Sequence, residues 1–291
     1  MSPDKQLTFV VPFHNFDRNQ KAFEALARTL SSEKIIVRLV CDSLDNDDFA
    51  SLSVLISSLS ELNCEWEIIR GNFGSAGAAR NAGLKNLQTK WFAFLDCDDD
   101  AYIAAYIGLC SECEDSDIDL IIGQILLRDQ ASGKIFKETR TRDLLDIAQY
   151  PAFTRVIYRT QALQGLLFPL LPVGEDQLFL ARAVLMAKKF SFADVPLYIY
   201  SVNSPGQTTS KKIDVKILDL VLKEFLQIGS SESPERNIFL RLIQLRMGLS
   251  ILKRVQPAHF NLLVATFMKL FGILLSSPRL LFKLNAGLSN V

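Results

Sequence analysis

The sequence predicts an α/β domain built on a mixed, mainly parallel sheet flanked by helices, followed by an all-helical C-terminal region. Three observations carry this. From Leu7 to about Asp100, short apolar runs alternate with polar turns and helical segments, the pattern of parallel strands joined by right-handed crossovers. Between Ala101 and Ser210 the rhythm becomes irregular and strand-rich. Beyond Ser210 the strand signals stop and helical periodicity takes over. The expected division is therefore residues 1–210 for the sheet domain and 211–291 for the helical region.

Taken in order, Leu7–Phe13 reads as a buried strand and Arg18–Leu30 as a helix. Ile35–Cys41 and Asp48–Leu62 repeat that pair, and Glu65–Arg70 is the third strand. A glycine-bearing loop then enters a helix from Ala76 to about Leu87, and Trp91–Leu95 is a fourth strand ending in acids. Ile118–Leu127, Gly133–Thr139 and Phe153–Tyr158 read as further strands. Gly174–Lys188 is a helix opened by acids, and Phe190–Tyr200 an irregular strand around Pro196. Lys211–Ile228, Pro234–Lys253 and Pro257–Ser276 complete the chain as helices, separated at Gly229–Ser233 and at Gln256-Pro257.

Composition narrows the classes. Hydrophobic residues make up 49% of the 291 and charged residues 22%, ample for a packed core. With a formal net charge of +0 there is no broad basic surface, so nucleic acid is not an expected partner. The five cysteines (Cys41, Cys64, Cys97, Cys110, Cys113) read as reduced thiols, and the lone Cys110-x-x-Cys113 lacks the second pair a structural zinc needs. The polar start, Met1–Gln6, has no signal-peptide character, and no uncharged run reaches the ~20 residues of a membrane span. The expected location is cytoplasmic.

In a parallel sheet the ligand crevice lies beyond the carboxyl ends of the strands, so the polar residues there are the candidates. Asp96-Cys97-Asp98-Asp99-Asp100 directly follows the fourth strand. Carboxylates this close raise one another's pKa unless a cation resolves the conflict. Mg²⁺ or Mn²⁺ does so with hard oxygen ligands while also holding a diphosphate, which points to Asp96 and Asp98. The plainer alternative is a helix N-terminus rich in acids, and Asp99 and Asp100 fit it equally well. Glu175-Asp176, after Gly174, either faces the crevice as a proton acceptor or caps its helix.

The loop Gly71–Gly77 spaces its glycines G-x-x-G-x-x-G, not as the dinucleotide fingerprint does, and the acid expected about 20 residues on falls in the wrong element. Within the small-residue helix it enters, Arg80 is the cation placed to meet acids or phosphate. Pro12-Phe13-His14-Asn15 and Asp42 close the first two strands at the crevice rim. His14 is read as structural.

Together these residues resemble the family 2 inverting glycosyltransferases of the GT-A fold. The match runs through Val10-Val11-Pro12-Phe13-His14-Asn15, Asp42, Gly77-Ala78-Ala79-Arg80-Asn81-Ala82-Gly83-Leu84, Phe94-Leu95-Asp96-Cys97-Asp98-Asp99 and Gly174-Glu175-Asp176, in that order, over roughly the first 210 residues. The resemblance implies a nucleotide-sugar donor, usually a UDP-sugar, bound over the strand ends by Pro12, Phe13, Asn15, Asp42, Gly77, Arg80, Asn81, Asp96 and Cys97. It implies Mn²⁺ or Mg²⁺ held by Asp98 with Asp96, and Asp176, beside Glu175, as the general base. The implied reaction is one in-line displacement at the anomeric carbon, with inversion, onto an acceptor hydroxyl of a surface glycan or lipid-linked carrier.

Two departures weaken particular contacts. The second strand ends Cys41-Asp42-Ser43-Leu44, with one acid where the family commonly has two. The stretch Tyr200–Thr209 lacks the arginines that meet the diphosphate in relatives, leaving hydroxyls, amides or Lys211-Lys212, on a loop that would close as a lid. A degenerate, non-catalytic nucleotide-sugar binder is the competing reading; a nicotinamide-dependent oxidoreductase fails on glycine spacing. In the helical region, Phe260–Leu275 is dense in apolar residues with Lys269 its only charge. A core helix, a homo-oligomer contact and peripheral membrane contact all fit it.

Overall fold

The computed structural model describes residues 5–59, 63–202 and 215–254, with the single positions Val264, Thr266, Met268, Phe271 and Gly272. The expected lid falls mainly on 203–214, and the expected membrane or dimer helix mainly on 257–276. Both lie for the most part outside the described residues. Among those described, no helix is long and apolar enough to cross a membrane.

The strands are β1 (Leu7–Phe13), β2 (Ile35–Asp42), β3 (Glu65–Gly71), β4 (Trp91–Phe94), β5 (Asp100–Ala101), β6 (Leu120–Asp129), β7 (Ile135–Glu138), β8 (Val156–Arg159) and β9 (Phe190–Val202). They form one sheet in the order β3-β2-β1-β4-β8-β6-β9-β5, with β7 paired to β6. The half β3-β2-β1-β4 is parallel, and β8 runs antiparallel to both β4 and β6. The helices are α1 (Phe16–Thr29), α2 (Asn46–Ser58), α3 (Ala76–Gly83), α4 (Ile103–Glu112), α5 (Leu144–Gln149), α6 (Glu175–Met186), α7 (Val215–Gln227) and α8 (Pro234–Arg254).

Both faces of the sheet are covered, which is why its central strands read as continuous apolar runs. Successive residues feed opposite cores: Phe9, Val11, Trp91 and Ala93 pack with α1, α2 and α4, while Val10, Phe92 and Phe94 pack with α3 and α6. The C-terminal helices join the second core. Val221 and Phe225 of α7, and Phe239, Ile243 and Met247 of α8, are buried in the cluster that holds Phe179 of α6. They are part of the scaffold under the crevice.

Three elements differ from expectation. Helix α3 stops at Gly83, short of Leu87, and its end lies so close to β1 that a side chain at Gly83 would collide with Val10. The buried Arg38 of β2 takes the helix's terminal carbonyls, Gly83 O at 2.9 Å and Lys85 O at 2.6 Å. Helices α4 and α5 were not anticipated: α4 has no side-chain cap, and α5 is six residues opened by Asp143. The strand expected from Phe153 begins instead with a 3-10 turn, Phe153–Arg155, ahead of β8.

Candidate active site

Parallel register brings the ends of β1, β2 and β4 to one edge, where α3 and α6 also begin. On the β2 side, Asp42 ties down the glycine loop. Its Oδ1 accepts from the Phe73 N–H (2.6 Å), the Gly74 N–H (3.2 Å) and the Ser43 hydroxyl (2.9 Å). Gly74 there has φ of +72°, a region that favours glycine. At the end of β1, Asn15 caps α1 by accepting from the Arg18 N–H at 3.2 Å. The Phe13 side chain is fully buried, edge-on to Phe16 and Phe23, so Pro12, Asn15 and backbone are what this strand end offers a ligand.

Arg80 is the centre of the site. It is buried on α3, with its guanidinium over the Phe153 ring at 4.6 Å and the Phe168 ring at 5.5 Å. One nitrogen donates to Asp96 Oδ1 at 2.6 Å and another lies 3.6 Å from Glu175 Oε1. Burial works against its charge, but Asp96, then Glu175 and Asp176, more than offset that and hold it protonated. The Arg80 Nε has no partner among the described residues.

The neighbouring motif residues hold α3 and α6 together. Asn81 clamps Phe168 through both ends of its amide, donating to the carbonyl (2.9 Å) and accepting from the N–H (2.7 Å). A Cβ at Gly77 would sit 3.3 Å from Glu175 Cγ, so glycine there lets the helices approach. Asn81 thus has both its side-chain groups engaged inside the protein.

The acids after β4 divide by role. Asp96 is half-buried and Asp98 exposed, both on the crevice. Burial, then Asp96, push the Asp98 carboxyl up, while Arg18 and His14 pull it down. Cys97 is buried and its thiol driven far above its usual range, chiefly by burial. Asp99 turns inward: Oδ2 accepts from the Tyr198 hydroxyl at 2.9 Å and Oδ1 from the Ser201 N–H at 3.0 Å. The same hydroxyl accepts from the Asp96 N–H at 3.2 Å. Asp100 lies in β5 and pairs with Arg128. The acid-rich helix start considered for Asp99 and Asp100 is therefore corrected, since α4 begins only at Ile103 and has no acid in its first turn.

Burial first, then Asp96, raise Asp99 from 3.8 to about 8. Native Asp99 thus keeps a proton that the unfolded chain has already lost, so rising pH across that window favours unfolding. Asp99→Asn keeps an acceptor for the Ser201 N–H and a polar group against the Tyr198 hydroxyl, but it does not titrate. In metal-free buffer its melting temperature should fall less than the wild type's between pH 5 and 9; equal falls would mean Asp99 is ionised throughout.

On the other wall, Gly174 opens α6 with φ of +76°, and a Cβ there would lie 2.9 Å from Met247 Cε and 3.2 Å from Val221 Cγ1. Helices α7 and α8 thus set the turn that presents the next two acids. Burial, then Asp176, raise Glu175 to about 7, with Arg80 opposing. Burial raises Asp176 as well, against the Gln177 N–H and Arg80.

A model of the glycosyl transferase family 2 sequences matches residues 8–185. The chain belongs to glycosyl transferase family 2. Among curated proteins, this transferase is 26% identical over 262 residues to the poly(ribitol-phosphate) beta-N-acetylglucosaminyltransferase TarS of Staphylococcus aureus, covering 78% of the present chain and 44% of TarS. The chain therefore spans less than half the length of the curated relatives it matches. Among solved structures, residues 1–349 of S. aureus TarS in complex with UDP-GlcNAc superpose with a TM-score of 0.68 at 18% identity, over 92% of this chain and 81% of that one. The Pyrobaculum calidifontis mannosyltransferase PcManGT, in complex with GDP-Man and Mn²⁺, gives 0.58 at 13% identity, over 95% and 82%. At these identities the likeness establishes the GT-A fold.

Sequence reasoning missed several residues that shape this transferase's site. Phe153 and Phe168, set edge to face with each other, both contact the Arg80 guanidinium, and Tyr198 joins Asp96 to Asp99. The half-buried Tyr200 has its hydroxyl pushed up to about 12 by burial and then by Asp99, Asp96, Asp176 and Asp98. The alternation of Tyr198 and Tyr200 along β9 was visible; which face they shared was not.

Proposed function

We propose that this transferase moves a sugar, with inversion, from a nucleotide diphosphate donor, a UDP-sugar, to an acceptor hydroxyl in the assembly of a cell-surface polymer. The observation carrying this is Arg80, which contacts Asp96 at the end of β4 and Glu175 at the start of α6, and so joins the donor-side and acceptor-side acids in one crevice. The ligands of the TarS and PcManGT complexes support a nucleotide-sugar donor.

A divalent cation fits the donor side. Among the described residues no group of three or more acid, histidine or cysteine side chains converges. Mg²⁺-type sites at diphosphates need only one or two carboxylates, with the phosphates completing the shell. Asp98, with Asp96, would hold Mn²⁺ or Mg²⁺; burial and then Asp96 push the Asp98 carboxyl up, and a bound cation would favour its ionised form. When bound, the ion offsets the charge of the departing diphosphate. The chain's own residues do the rest. Asp42 holds the rim loop, Arg80 keeps Asp96 and Glu175 in register, and Asp176 takes the acceptor proton. The acceptor oxygen bonds to the anomeric carbon as the bond to the diphosphate breaks.

Calorimetric titration of UDP and GDP, each with and without Mn²⁺, tests the donor site. The expected result is manganese-dependent binding of UDP that Asp98→Ala abolishes. Binding of neither nucleotide under any metal condition would overturn the assignment.

A further inference from the structure

The turn Asp96–Asp100 crowds four carboxylates together, and two of them, Asp96 and Asp98, lie on the crevice. Like charges this close repel, so the turn needs restraint from outside if it is to present both. Locally it is closed by a backbone bond from the Asp99 N–H to the Asp96 carbonyl at 3.2 Å. Further ties come from β9, far along the chain. The Tyr198 hydroxyl touches both ends of the turn, accepting from the Asp96 N–H at 3.2 Å and donating to Asp99 Oδ2 at 2.9 Å. The Ser201 N–H donates to the other Asp99 oxygen at 3.0 Å. Strand pairing sets Asp100 opposite Ile199 and Ala101 opposite Tyr198, and Arg128 of β6 bonds both Asp100 and the Ser201 hydroxyl. The turn is thus tied on either side of Asp98, whose side chain remains exposed.

Packing does not require the Tyr198 hydroxyl. The side chain is 1% exposed and belongs to the apolar cluster that holds Val11, Ala93 and Leu95, where a phenylalanine ring would serve as well. A hydroxyl is costly to bury unless it is bonded, and both bonds described for this one go to the acid turn. Removing it leaves Asp99 held by Ser201 but releases the Asp96 N–H, at one of the two acids proposed to hold the ion.

We infer that Tyr198 is a positioning residue for the donor's divalent cation: its hydroxyl fixes the Asp96–Asp99 turn in the form that presents Asp98 and Asp96 before the ion arrives. This rests on the reading of those two acids as the ion's ligands. Tyr198 itself touches neither ion nor donor. Groups that orient metal ligands in this way change metal affinity by about 10–100-fold when they are lost.

The test is calorimetric titration of UDP at a series of Mn²⁺ concentrations, with melting temperatures recorded in metal-free buffer. Tyr198→Phe should raise the Mn²⁺ concentration needed for half-maximal UDP binding about 10–100-fold, while any metal-independent UDP binding stays as in the wild type. Thr8→Val supplies the stability control. It removes a buried hydroxyl bond to Thr89 (2.7 Å) at the opposite end of β1, and should lower the melting temperature without moving the manganese requirement. Asp99→Ala cuts the same link from the other side and reads the proposal if Tyr198→Phe fails to fold. Asp99→Asn, which keeps polar groups against Tyr198 and Ser201, should bring the requirement back towards the wild type. A folded Tyr198→Phe or Asp99→Ala protein with the wild-type requirement would overturn the proposal and leave the donor reading standing. Equal loss of metal-dependent and metal-independent binding would reduce the hydroxyl to a stabilising contact and overturn it too. Wild-type UDP binding that ignores manganese would overturn both the proposal and the ion assignment.

Discussion

Asp176→Asn is expected to lower kcat by about 10²–10⁴-fold, the usual contribution of a positioned general base, while UDP binding stays within about twofold. The carboxylate is the group proposed to take the proton from the attacking hydroxyl, and the amide is isosteric but not basic. Burial holds Asp176 above the ordinary carboxylate range, which makes it a better base than a solvated aspartate. Glu175 is raised to about 7 beside it, but its oxygen faces the Arg80 guanidinium at 3.6 Å. Steady-state rates alongside UDP titration separate the two acids. A fall in kcat of less than about tenfold in Asp176→Asn would remove it as the base.

Arg80→Met should be nearly as damaging by a different route. The long apolar side chain keeps contact with the Phe153 and Phe168 rings but leaves Asp96 and Glu175 without their shared counter-charge. Removing one member of a buried ion pair costs about 3–5 kcal/mol. The lower end applies here, because the carboxylates are 29% and 16% exposed and water screens part of the loss. Activity should fall along with stability, since Asp96 and Glu175 then face one another across the crevice without their shared counter-charge. Chemical denaturation gives the stability change, and turnover at saturating donor gives the rest. A variant with wild-type stability and turnover would show that the two walls are held by packing alone.

How far the site was legible depended on the kind of residue. The acids after β4, the Gly174-Glu175-Asp176 turn and Arg80 stood out because their chemistry is costly to bury without a purpose, and each sits at an element's end. The contact of Phe153 and Phe168 with Arg80 was not legible, because phenylalanines in an apolar run look alike whether they fill a core or meet a cation. Asn81 read as a ligand contact, yet its amide is spent on the Phe168 backbone, 87 residues away. Helix α4 escaped notice because it has neither a side-chain cap nor an acid in its first turn to mark its start. Helix α5 is only six residues long, too few for periodicity to register.

By itself the sequence determined the alternating strands and helices of residues 7–94, the edge of the sheet at which the motif residues gather, and the family. Each follows from local periodicity or from short ordered motifs, which need no knowledge of distant neighbours. Only the tertiary structure decided that Asp99 faces inward to Tyr198 and Ser201 while Asp98 faces out. It also decided that α7 and α8 wedge beneath Gly174. Those outcomes depend on which elements, far apart in the chain, come to share a face, and side-chain pairing across such distances is set by packing rather than by any local pattern.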